Sequence, residues 1–405
     1  MAIQTVIRGT GNLEGSRVIL DIADGIFLLE PNANPFTLIS RKVGKKTSHS
    51  IKHSWYADEL NPEIVTVSTV STTGDTTIVL ETGDGVNVAE RDILFVHDSI
   101  ESILVDSIST DTITVRRDWG QNESGNEGWS AYATTIAKGD TLIIGGNAMA
   151  EGSTAPSLRA TLEVLRNNFC QGMRGPFDIT EETLNSLLYG EQQLPYQTRK
   201  NGIEFGRKME WINLFGKPYI GDRLSEVASA ANAVPATAGG IIHYIRENAP
   251  AANKVSQTEL TKAEFLLWIR DCFAFGDTRN RFLFVSPLIA SAIEFWGLAD
   301  LQTRPTDETY GINTSTWISP HGQLSIVIHK MLGARATGQG NWALLLDMGM
   351  IKQVVMRNMD LRLVQNIQAN DAMTRKDELR ISQCIEIKGS AGNHGYLQDV
   401  TSFAA

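Results

Sequence analysis

Apolar residues along the chain recur at two different spacings, which separate helical from extended segments. In one stretch they fall at Phe205, Met209 and Ile212, with charged residues between them. Intervals of three and four residues place side chains on one face of a helix. Pro195 suits the first turn, because its ring fixes φ and it has no N–H to leave unpaired. The pattern predicts a rod-like helix from Pro195 to Phe215, about 30 Å long at about 1.5 Å per residue.

Earlier in the chain, residues 61–128 show a different pattern of apolar and polar positions. Short β-branched runs alternate there with turn clusters, and the runs are EIVTVSTV, TTIVLE, DILFVH, ESILVDSI and TITVRR. Such runs between turn signals are typical of a small sandwich or barrel. We therefore predict a compact all-β domain over 61–128, and we interpret 129–150 as a limb that returns to pair with the segment before it.

That earlier segment, 36–60, is rich in basic residues. Gly44 separates two strand-like halves, so we predict an extended, exposed hairpin limb. The cations that are candidates for contact with nucleic acid or with a neighbouring subunit's carboxylates are Arg41, Lys42, Lys45, Lys46 and Lys52. A solvated loop explains these charges equally well. Residues 1–35 show no sustained period and predict an arm that takes its order from a neighbour.

The rest of the chain predicts mostly helices and strands in alternation. A helix is expected from Leu158 to Asn168, and a short one after Thr180, where early acids favour a helix start. Residues 222–255 are small, polar and Gly-rich, and predict a mobile loop. In the last third, strands alternate with helices, which is typical of a sheet between helical layers. Capping signals that start these helices are Ser256 with Glu259 or Thr261 with Glu264, and Ser286 before Pro287.

Composition narrows the function. The chain has 405 residues, 42% hydrophobic and 20% charged, which is ordinary globular content. Its formal charge of −10 excludes a protein built to coat nucleic acid. The three cysteines lie far apart in sequence and fit neither a disulfide framework nor a zinc site, so we expect free thiols in a reducing cytoplasm. No apolar run reaches membrane-span length and the start does not resemble a signal peptide, so we expect no membrane and no export.

Catalytic signatures are weak. His49 and His53 stand four apart, but in a strand such residues lie about 13 Å from each other, so metal binding is not expected. The sequence contains no phosphate-binding G-x-x-x-x-G-K-[ST] loop and no G-x-S-x-G elbow. Glu181 and Glu182 are adjacent acids in a predicted first turn, where they favour the helix dipole. We predict a protein that is not an enzyme and that needs no cofactor or metal.

The order of these parts resembles the major capsid protein of tailed bacteriophages, in the branch with a β domain inserted in its extended loop. The stretches that carry the resemblance are NPFTLISRKVGKKTSHSIKHSW, FCQGMRGPFDITEETLNSLLYGEQQLPYQTRKNGIEFGRKMEW, ELTKAEFLLWIRDCFAFGD, RFLFVSPLIASAIEFW and ISQCIEIKGSAGNHGYLQDV. They span nearly the whole chain outside the insert. None is diagnostic alone, so the specificity lies in their order.

The resemblance implies an α+β fold of the Hong Kong phage capsid type, which herpesvirus shells and encapsulins share. Its parts would be the N-terminal arm 1–35, the extended loop 36–60 and 129–150, the inserted all-β domain 61–128, the peripheral domain 151–219 and 379–405 with its spine helix 195–215, and the axial domain 220–378. The loop's cations would then pair with acids on an adjacent subunit. The Gly-rich loop would line the five- or six-fold axis.

The resemblance also implies partners. Copies of the chain would form hexamers and pentamers of a virion capsid, assembled in the host cytoplasm around double-stranded DNA. Only about 35 residues precede the extended loop, which implies a separate scaffolding protein or none, and a portal and a decoration protein are expected. An encapsulin-like nanocompartment is one alternative. A soluble β-domain adhesin or carbohydrate-binding protein is the other, although it leaves the rod helix and the last third without a purpose.

The spine helix carries its own open question. Its basic residues Arg199, Lys200, Arg207 and Lys208 could face packaged DNA in weak contact, or could serve intersubunit salt bridges and solvation. Net acidity of the chain favours the second interpretation.

Overall fold

The computed structural model describes residues 34–58, 60–97, 99, 101–120, 133–155, 159–187, 192–220, 235–276, 279–297, 304–309, 312–338, 340–389 and 392–404. Contacts divide the chain into two compact units. The main unit comprises Met1–Trp55 and Arg166–Ala405, and the β unit comprises Tyr56–Leu165. In sequence, the β unit therefore interrupts the main unit.

The described residues form α-helices that lie in the main unit. They are α1 Pro35–Val43, α2 Glu181–Asn185, α3 Gln193–Phe215, α4 Ile241–Asn248, α5 Lys262–Cys272, α6 Pro287–Phe295 and α7 Ala334–Thr337. Short 3-10 turns occur at Asp84–Asn87, Ala251–Asn253, Lys330–Leu332 and Met348–Met350.

Strands occur in both units. The strands up to the start of α2 are β1 Lys45–Ser48, β2 Lys52–Ala57, β3 Ile64–Thr66, β4 Thr77–Val79, β5 Asp92–Val96, β6 Ser102–Ser109, β7 Thr112–Arg116, β8 Thr141–Asn147, β9 Val164–Phe169 and β10 Gln171–Thr180. Those after α4 are β11 Lys254–Ser256, β12 Glu259–Leu260, β13 Asn280–Val285, β14 Arg304–Thr309, β15 Ile312–Ile318, β16 Gln323–Ile328, β17 Asn341–Leu346, β18 Ile351–Met356, β19 Arg362–Val364, β20 Thr374–Ile387, β21 Gly395–Val400 and β22 Ser402–Phe403.

Two large sheets build the main unit. One has five strands in the order β1-β18-β20-β10, with β19 also paired to β20. The other has seven strands in the order β11-β21-β17-β13-β16-β15-β14. Smaller two-stranded sheets join β12 to β22 and β2 to β9.

Strand β17 separates two hydrophobic cores. All six of its residues are buried, as expected for a strand covered on both faces. Because side chains alternate along a strand, Leu344 and Leu346 enter the first core, which also holds Phe36, while Ala343 and Leu345 enter the second. The second core is formed with helices α5 and α6, whose apolar faces pack on the seven-stranded sheet.

Local signals explain where α5 and α6 begin. Thr261 and Glu264 form a reciprocal capping box at the start of α5, so the second of the two predicted boxes is the one used. Ser286 caps α6 and Pro287 occupies its first turn, as predicted. Both helices therefore begin at the predicted signals.

The β unit is a small closed barrel. Its six strands follow the order β3-β8-β5-β6-β7-β4, and the predicted β-branched runs form five of them. An isolated bridge between Val67 and Leu80 continues β3 onto β4. Hydrogen bonds from Ser68 N to Val79 O and from Glu81 N to Thr66 O, each 2.8 Å, close the ring. The interior is filled by the buried aliphatic side chains of all six strands.

The structure corrects the prediction for 36–60. Its first half is helix α1, because Phe36 and Ile39 lie one turn apart and are both buried in the first core. The second half does form strands, but β1 runs parallel to β18 inside the five-stranded sheet, with Lys45 opposite Gln353. This segment is therefore not one extended limb.

The predicted helix from Leu158 to Asn168 is wrong. Within the described residues 159–169 the regular element is strand β9, which pairs with β2. The buried Asn168 donates its side-chain amide to Gly239 O at 3.0 Å and Ile385 O at 2.7 Å. These tertiary bonds favour the extended backbone over local helix propensity.

The loop predicted at 222–255 is also revised. Residues 221–234 lie outside the described part of the chain. After them α4 is a buried helix, because Ile241, Ile242 and Ile245 recur at helical spacing and enter the first core. The small, polar and Gly-rich composition of 222–255 as a whole concealed this apolar stripe.

Three predicted domain boundaries differ from the observed sheets. Strand β8, from the predicted return limb 129–150, lies in the barrel, because Leu142 packs into its interior. Strands β18 and β19, from the segment 220–378, lie in the five-stranded sheet with β20. Strand β21, from the segment 379–405, lies in the seven-stranded sheet because Leu397 belongs to the second core. Residues 1–33 of the predicted arm lie outside the described residues.

Candidate functional site

Helix α3 confirms the predicted rod, two residues longer at its start than expected. Phe205 and Met209 are buried against Ile381 of β20, so the predicted apolar stripe is the packed face. Ile212 packs beside a cluster that contains Cys170 and Cys384. We call α3 the spine helix.

The spine approaches strand β10 so closely that a glycine is required there. A Cβ atom on Gly175 would lie 2.8 Å from Cδ2 of the Phe205 ring, inside van der Waals contact. The Phe205 ring of the spine therefore packs directly on the β10 backbone at Gly175.

A buried acid on the spine anchors helix α1. Glu210 is fully buried, and its carboxylate accepts hydrogen bonds from the backbone N–H groups of Phe36 and Thr37, each at 2.8 Å. These are first-turn groups that lack a partner within their own helix, and Asn34 at the N-cap position makes no side-chain capping bond. A negative charge also suits the positive end of the helix dipole. The spine therefore supplies the cap for α1.

His329 completes the environment of Glu210. Its Nδ1 accepts the backbone N–H of Met331 at 3.2 Å, so the proton sits on Nε2. Nε2 then donates to Glu210 Oε1 at 2.7 Å. The Thr37 hydroxyl contacts the same carboxylate and also accepts from the Asn213 side chain at 3.0 Å. These polar groups are buried but mutually satisfied.

A second buried acid, Glu386 on β20, holds strands β1 and β2. His53 Nε2 lies 2.6 Å from its Oε2, and Lys46 Nζ lies 3.0 Å from the same oxygen. The hydrogen bond with His53, more than the charge of Lys46, lowers the pKa of Glu386 to about 2. The carboxylate is therefore ionised and paired at neutral pH.

The basic residues of this segment find partners mostly within the chain. Arg41 Nη2 lies 3.2 Å from Asp360, and Lys45 contacts the other oxygen of the same carboxylate. Lys46 pairs with Glu386 as described above. Lys42 and Lys52 are exposed on the surface. The pairs with the exposed Asp360 are of the surface type that typically contributes about 0–1 kcal/mol.

The basic residues of the spine helix are more exposed to solvent than its apolar stripe. Arg199 and Lys208 are exposed, whereas Lys200 and Arg207 are half-buried. None of these four side chains belongs to the packed cluster of Phe205 and Met209.

Candidate residues for catalysis and metal binding lie within the described residues. Among them, no group of three or more His, Cys, Asp or Glu side chains could hold a metal ion. His53 is occupied by Glu386, and His49 is exposed. Glu181 and Glu182 lie in the first turn of α2, where Thr180 caps the helix. No helix in the described ranges has the length and apolar character to cross a membrane.

Comparison with known proteins decides the family. A family model described as SU10 major capsid protein matches residues 4–400. The chain belongs to this family. It is therefore a major capsid protein of a tailed phage, a structural and non-enzymatic component of the virion, and copies of it assemble into the icosahedral shell. This confirms the function predicted from the order of sequence segments.

A curated relative agrees with this assignment. The major capsid protein of Pseudomonas phage PaMx41 is 23% identical over 340 residues, which cover 80% of this chain and 76% of the relative.

Solved structures were also matched. The capsid of a native GTA particle matches with a TM-score of 0.46 at 8% identity, covering 96% of this chain and 97% of that one. Mycobacterium phage Bobi matches with 0.42 at 9% identity over the same shares. The SrpI encapsulin of Synechococcus elongatus PCC 7942 matches with 0.42 at 11% identity, covering 60% of this chain and 80% of that one. The family match, and not these superpositions, identifies the capsid protein.

Sequence reasoning missed the two acids that organise the major capsid protein's N-terminal segment. Glu210 follows Met209 directly, so it stands at the margin of the apolar stripe and could have been recognised as a buried charge. Glu386 alternates with Ile385 and Ile387 in β20, where an acid between two core residues is the only signal.

Proposed function

We propose that this major capsid protein closes into five- and six-membered capsomers whose shell encloses double-stranded DNA. The anchored spine is the observation that carries the proposal. It is a 23-residue helix fixed through Phe205, Met209 and Glu210, while its basic residues remain outside the packed face. A subunit with such a rigid rod can meet several neighbours without changing its own fold, and heterologous contacts that close build rings and then shells.

We propose that the main unit supplies both the peripheral and the axial part of each capsomer. The five-stranded sheet with α3 is the candidate peripheral part, and the seven-stranded sheet with α5 and α6 is the candidate axial part. The separate strand pairing of the two sheets supports this division. We propose that 351–387 belongs to the peripheral part and 395–404 to the axial part, and the observed strand pairing supports this assignment.

The β unit is the candidate insertion in the extended loop. Support comes from its position in sequence, between Trp55 and Arg166, and from its closed interior. With β8 inside the barrel, the loop itself reduces to β2 and β9, which pair with each other. Lys52 on β2 is exposed and is the candidate for contact with an adjacent subunit, together with Lys42.

Electron microscopy of the protein expressed alone, beside a sucrose gradient, tests the assembly proposal. Closed shells, tubes or rings of five and six are expected. A monomer or dimer under all conditions would require a scaffolding protein, which co-expression with the neighbouring phage genes then tests.

DNA content needs a separate measurement. Virions purified from infected cells and treated with nuclease should retain double-stranded DNA. Replacement of Lys200 and Lys208 by Gln should leave the retained amount unchanged if these cations serve solvation or subunit contacts. A loss of DNA in shells that still assemble would instead support weak contact between the spine and the genome.

A further inference from the structure

Two of the three cysteines meet in the buried centre of the main unit. The Sγ atoms of Cys170 and Cys384 are 3.4 Å apart although the residues are 214 positions apart in sequence. Both side chains are buried and both thiols are free. The third cysteine, Cys272, lies in the second core with different neighbours.

Strand register explains the encounter. Strand β10 runs antiparallel to β20 with Gln171 opposite Gln383. Extending this register by one residue places Cys170 directly opposite Cys384. Residues opposite each other in an antiparallel pair have Cα atoms about 4.5–5.5 Å apart, and disulfides span Cα separations of about 4.4–6.8 Å. This register, together with the Sγ separation of 3.4 Å, is therefore compatible with a disulfide.

We propose that Cys170 and Cys384 are a modification site, at which an intrasubunit disulfide forms after the virion leaves the reducing cytoplasm. During assembly the two groups remain thiols, because the cytoplasm keeps cysteines reduced. Outside the cell, a peroxide is a sufficient oxidant and is small enough to reach a buried site during local opening.

The chemistry balances with hydrogen peroxide. The sulfur of Cys170, as thiolate, attacks one peroxide oxygen, the O–O bond breaks, and a sulfenic acid and hydroxide form. The sulfur of Cys384 then attacks the sulfur of Cys170, loses its proton, and displaces the hydroxyl group as water. In total, two thiols lose two hydrogens and two electrons, and one peroxide becomes two waters.

The local environment favours Cys170 as the first nucleophile. The hydrogen bond from Cys384 lowers the pKa of Cys170, while the same bond, together with burial, raises the pKa of Cys384. A thiolate is the reactive form. The surrounding Ala238 and Val354 are apolar and offer no competing partner.

The bond would tie the start of β10 to β20 across the segment that contains the spine helix. Cross-links that close long loops restrict the unfolded chain most. An oxidised shell should therefore unfold at a temperature higher by several degrees, on the order of 5 °C. This consequence depends on the shell being released into an oxidising medium and not on what it encloses.

The test uses virions released into a thiol-blocking reagent and, in parallel, virions exposed to dilute hydrogen peroxide. After denaturation and alkylation, the first sample should show three alkylated cysteines per chain, as in the sequence. The second should show one alkylated cysteine per chain. Without alkylation, the oxidised chain should be lighter than the reduced chain by about 2 Da, because two hydrogens are lost. Peptide mapping should join the peptides of Cys170 and Cys384 within one chain.

Matched variants separate this bond from others. Cys272→Ser should keep the mass loss and the thermal shift, whereas Cys170→Ser and Cys384→Ser should each abolish both. If the serine variants do not assemble, the peptide map of the unmodified protein decides. Three alkylated cysteines after peroxide treatment, a bond that includes Cys272, or a bond between chains would each overturn the proposal.

Discussion

The Glu210 carboxylate lies 2.8 Å from the backbone nitrogen of Phe36, so a residue in the C-terminal half of the spine caps a helix that starts 175 residues earlier in the chain. Helix α1 is thus held by the carboxylate of Glu210, which belongs to the spine helix against which α1 packs. Removal of that charge should affect the fold more than removal of any surface acid.

Glu210→Ala is expected to destabilise the subunit by about 3–5 kcal/mol, because it leaves the donors of Phe36, Thr37 and His329 buried without an acceptor. Denaturant unfolding of soluble subunits measures the loss. Glu204→Ala is the matched control, since Glu204 is exposed on the same helix, and it should change stability by less than about 0.5 kcal/mol. Equal losses in both variants would contradict the capping role.

Glu386 should make stability depend on pH in the acid range. Its pKa falls from 4.5 to about 2 in the folded protein, so the folded state favours the carboxylate. The stabilisation is complete above about pH 4.5 and is lost as the pH falls towards 2, with a total on the order of 1–2 kcal/mol because solvent screens part of the interaction. Unfolding of the unmodified protein and of Glu386→Gln should therefore differ at pH 6 and converge near pH 2.5. A difference that stays constant over this range would refute the assignment.

His394 should act in a different pH window. Burial lowers its pKa from 6.5 to about 4, while Nδ1 accepts the Asp347 N–H at 3.1 Å and Nε2 donates to Lys388 O at 3.0 Å. The unfolded chain binds a proton first, so stability is full above about pH 6.5 and declines down to about pH 4, by about 3 kcal/mol.

Replacement of this histidine tests that window. His394→Gln should flatten the decline between pH 6.5 and 4, as measured by urea midpoints at several pH values. The exposed His49→Gln should leave the slope unchanged. An unchanged slope in His394→Gln would show that another group titrates.

Two glycines should respond in opposite directions to alanine. At Gly240 a Cβ would lie 2.7 Å from the backbone of Leu214 and Gly216, so Gly240→Ala should cost about 1–3 kcal/mol. At Gly202, in the spine, nothing lies within 4 Å, so Gly202→Ala should add about 0.5–1 kcal/mol through helix propensity. Thermal unfolding of both variants measures the two signs. Stabilisation by Gly240→Ala would mean that α4 can move away from the end of the spine.

Much of the fold could be predicted because its signals are local. The capping box of Thr261 with Glu264, the Ser286-Pro287 start and the stripe of Phe205 and Met209 each lie within one or two turns of the chain. The β-branched runs of the barrel are equally local. These elements appear where the sequence predicts them.

What could not be predicted depends on partners distant in sequence. Helix α1 exists in its place because Glu210 caps it and the first core accepts Phe36 and Ile39. The extended backbone at Asn168 is fixed by the carbonyls of Gly239 and Ile385. No pattern near these residues carries that information, so local propensity favoured the wrong element at both sites.

The contact of Cys170 with Cys384 has the same origin. These residues are far apart in sequence, and the register of β10 on β20 brings them together in the fold. The five basic residues were likewise recognised as a group, but the acids that pair with three of them, Asp360 and Glu386, lie more than 300 positions away.

The bridge between Val67 and Leu80 has a consequence for a protein that exists in many copies on one surface. Where strands end unpaired, their free N–H and C=O groups recruit strands of other molecules, and crowding accelerates this zipping. In the barrel the first and last strands satisfy each other. Many copies can thus be held at very high local density while their β units remain individually folded and do not fuse into a common fibre.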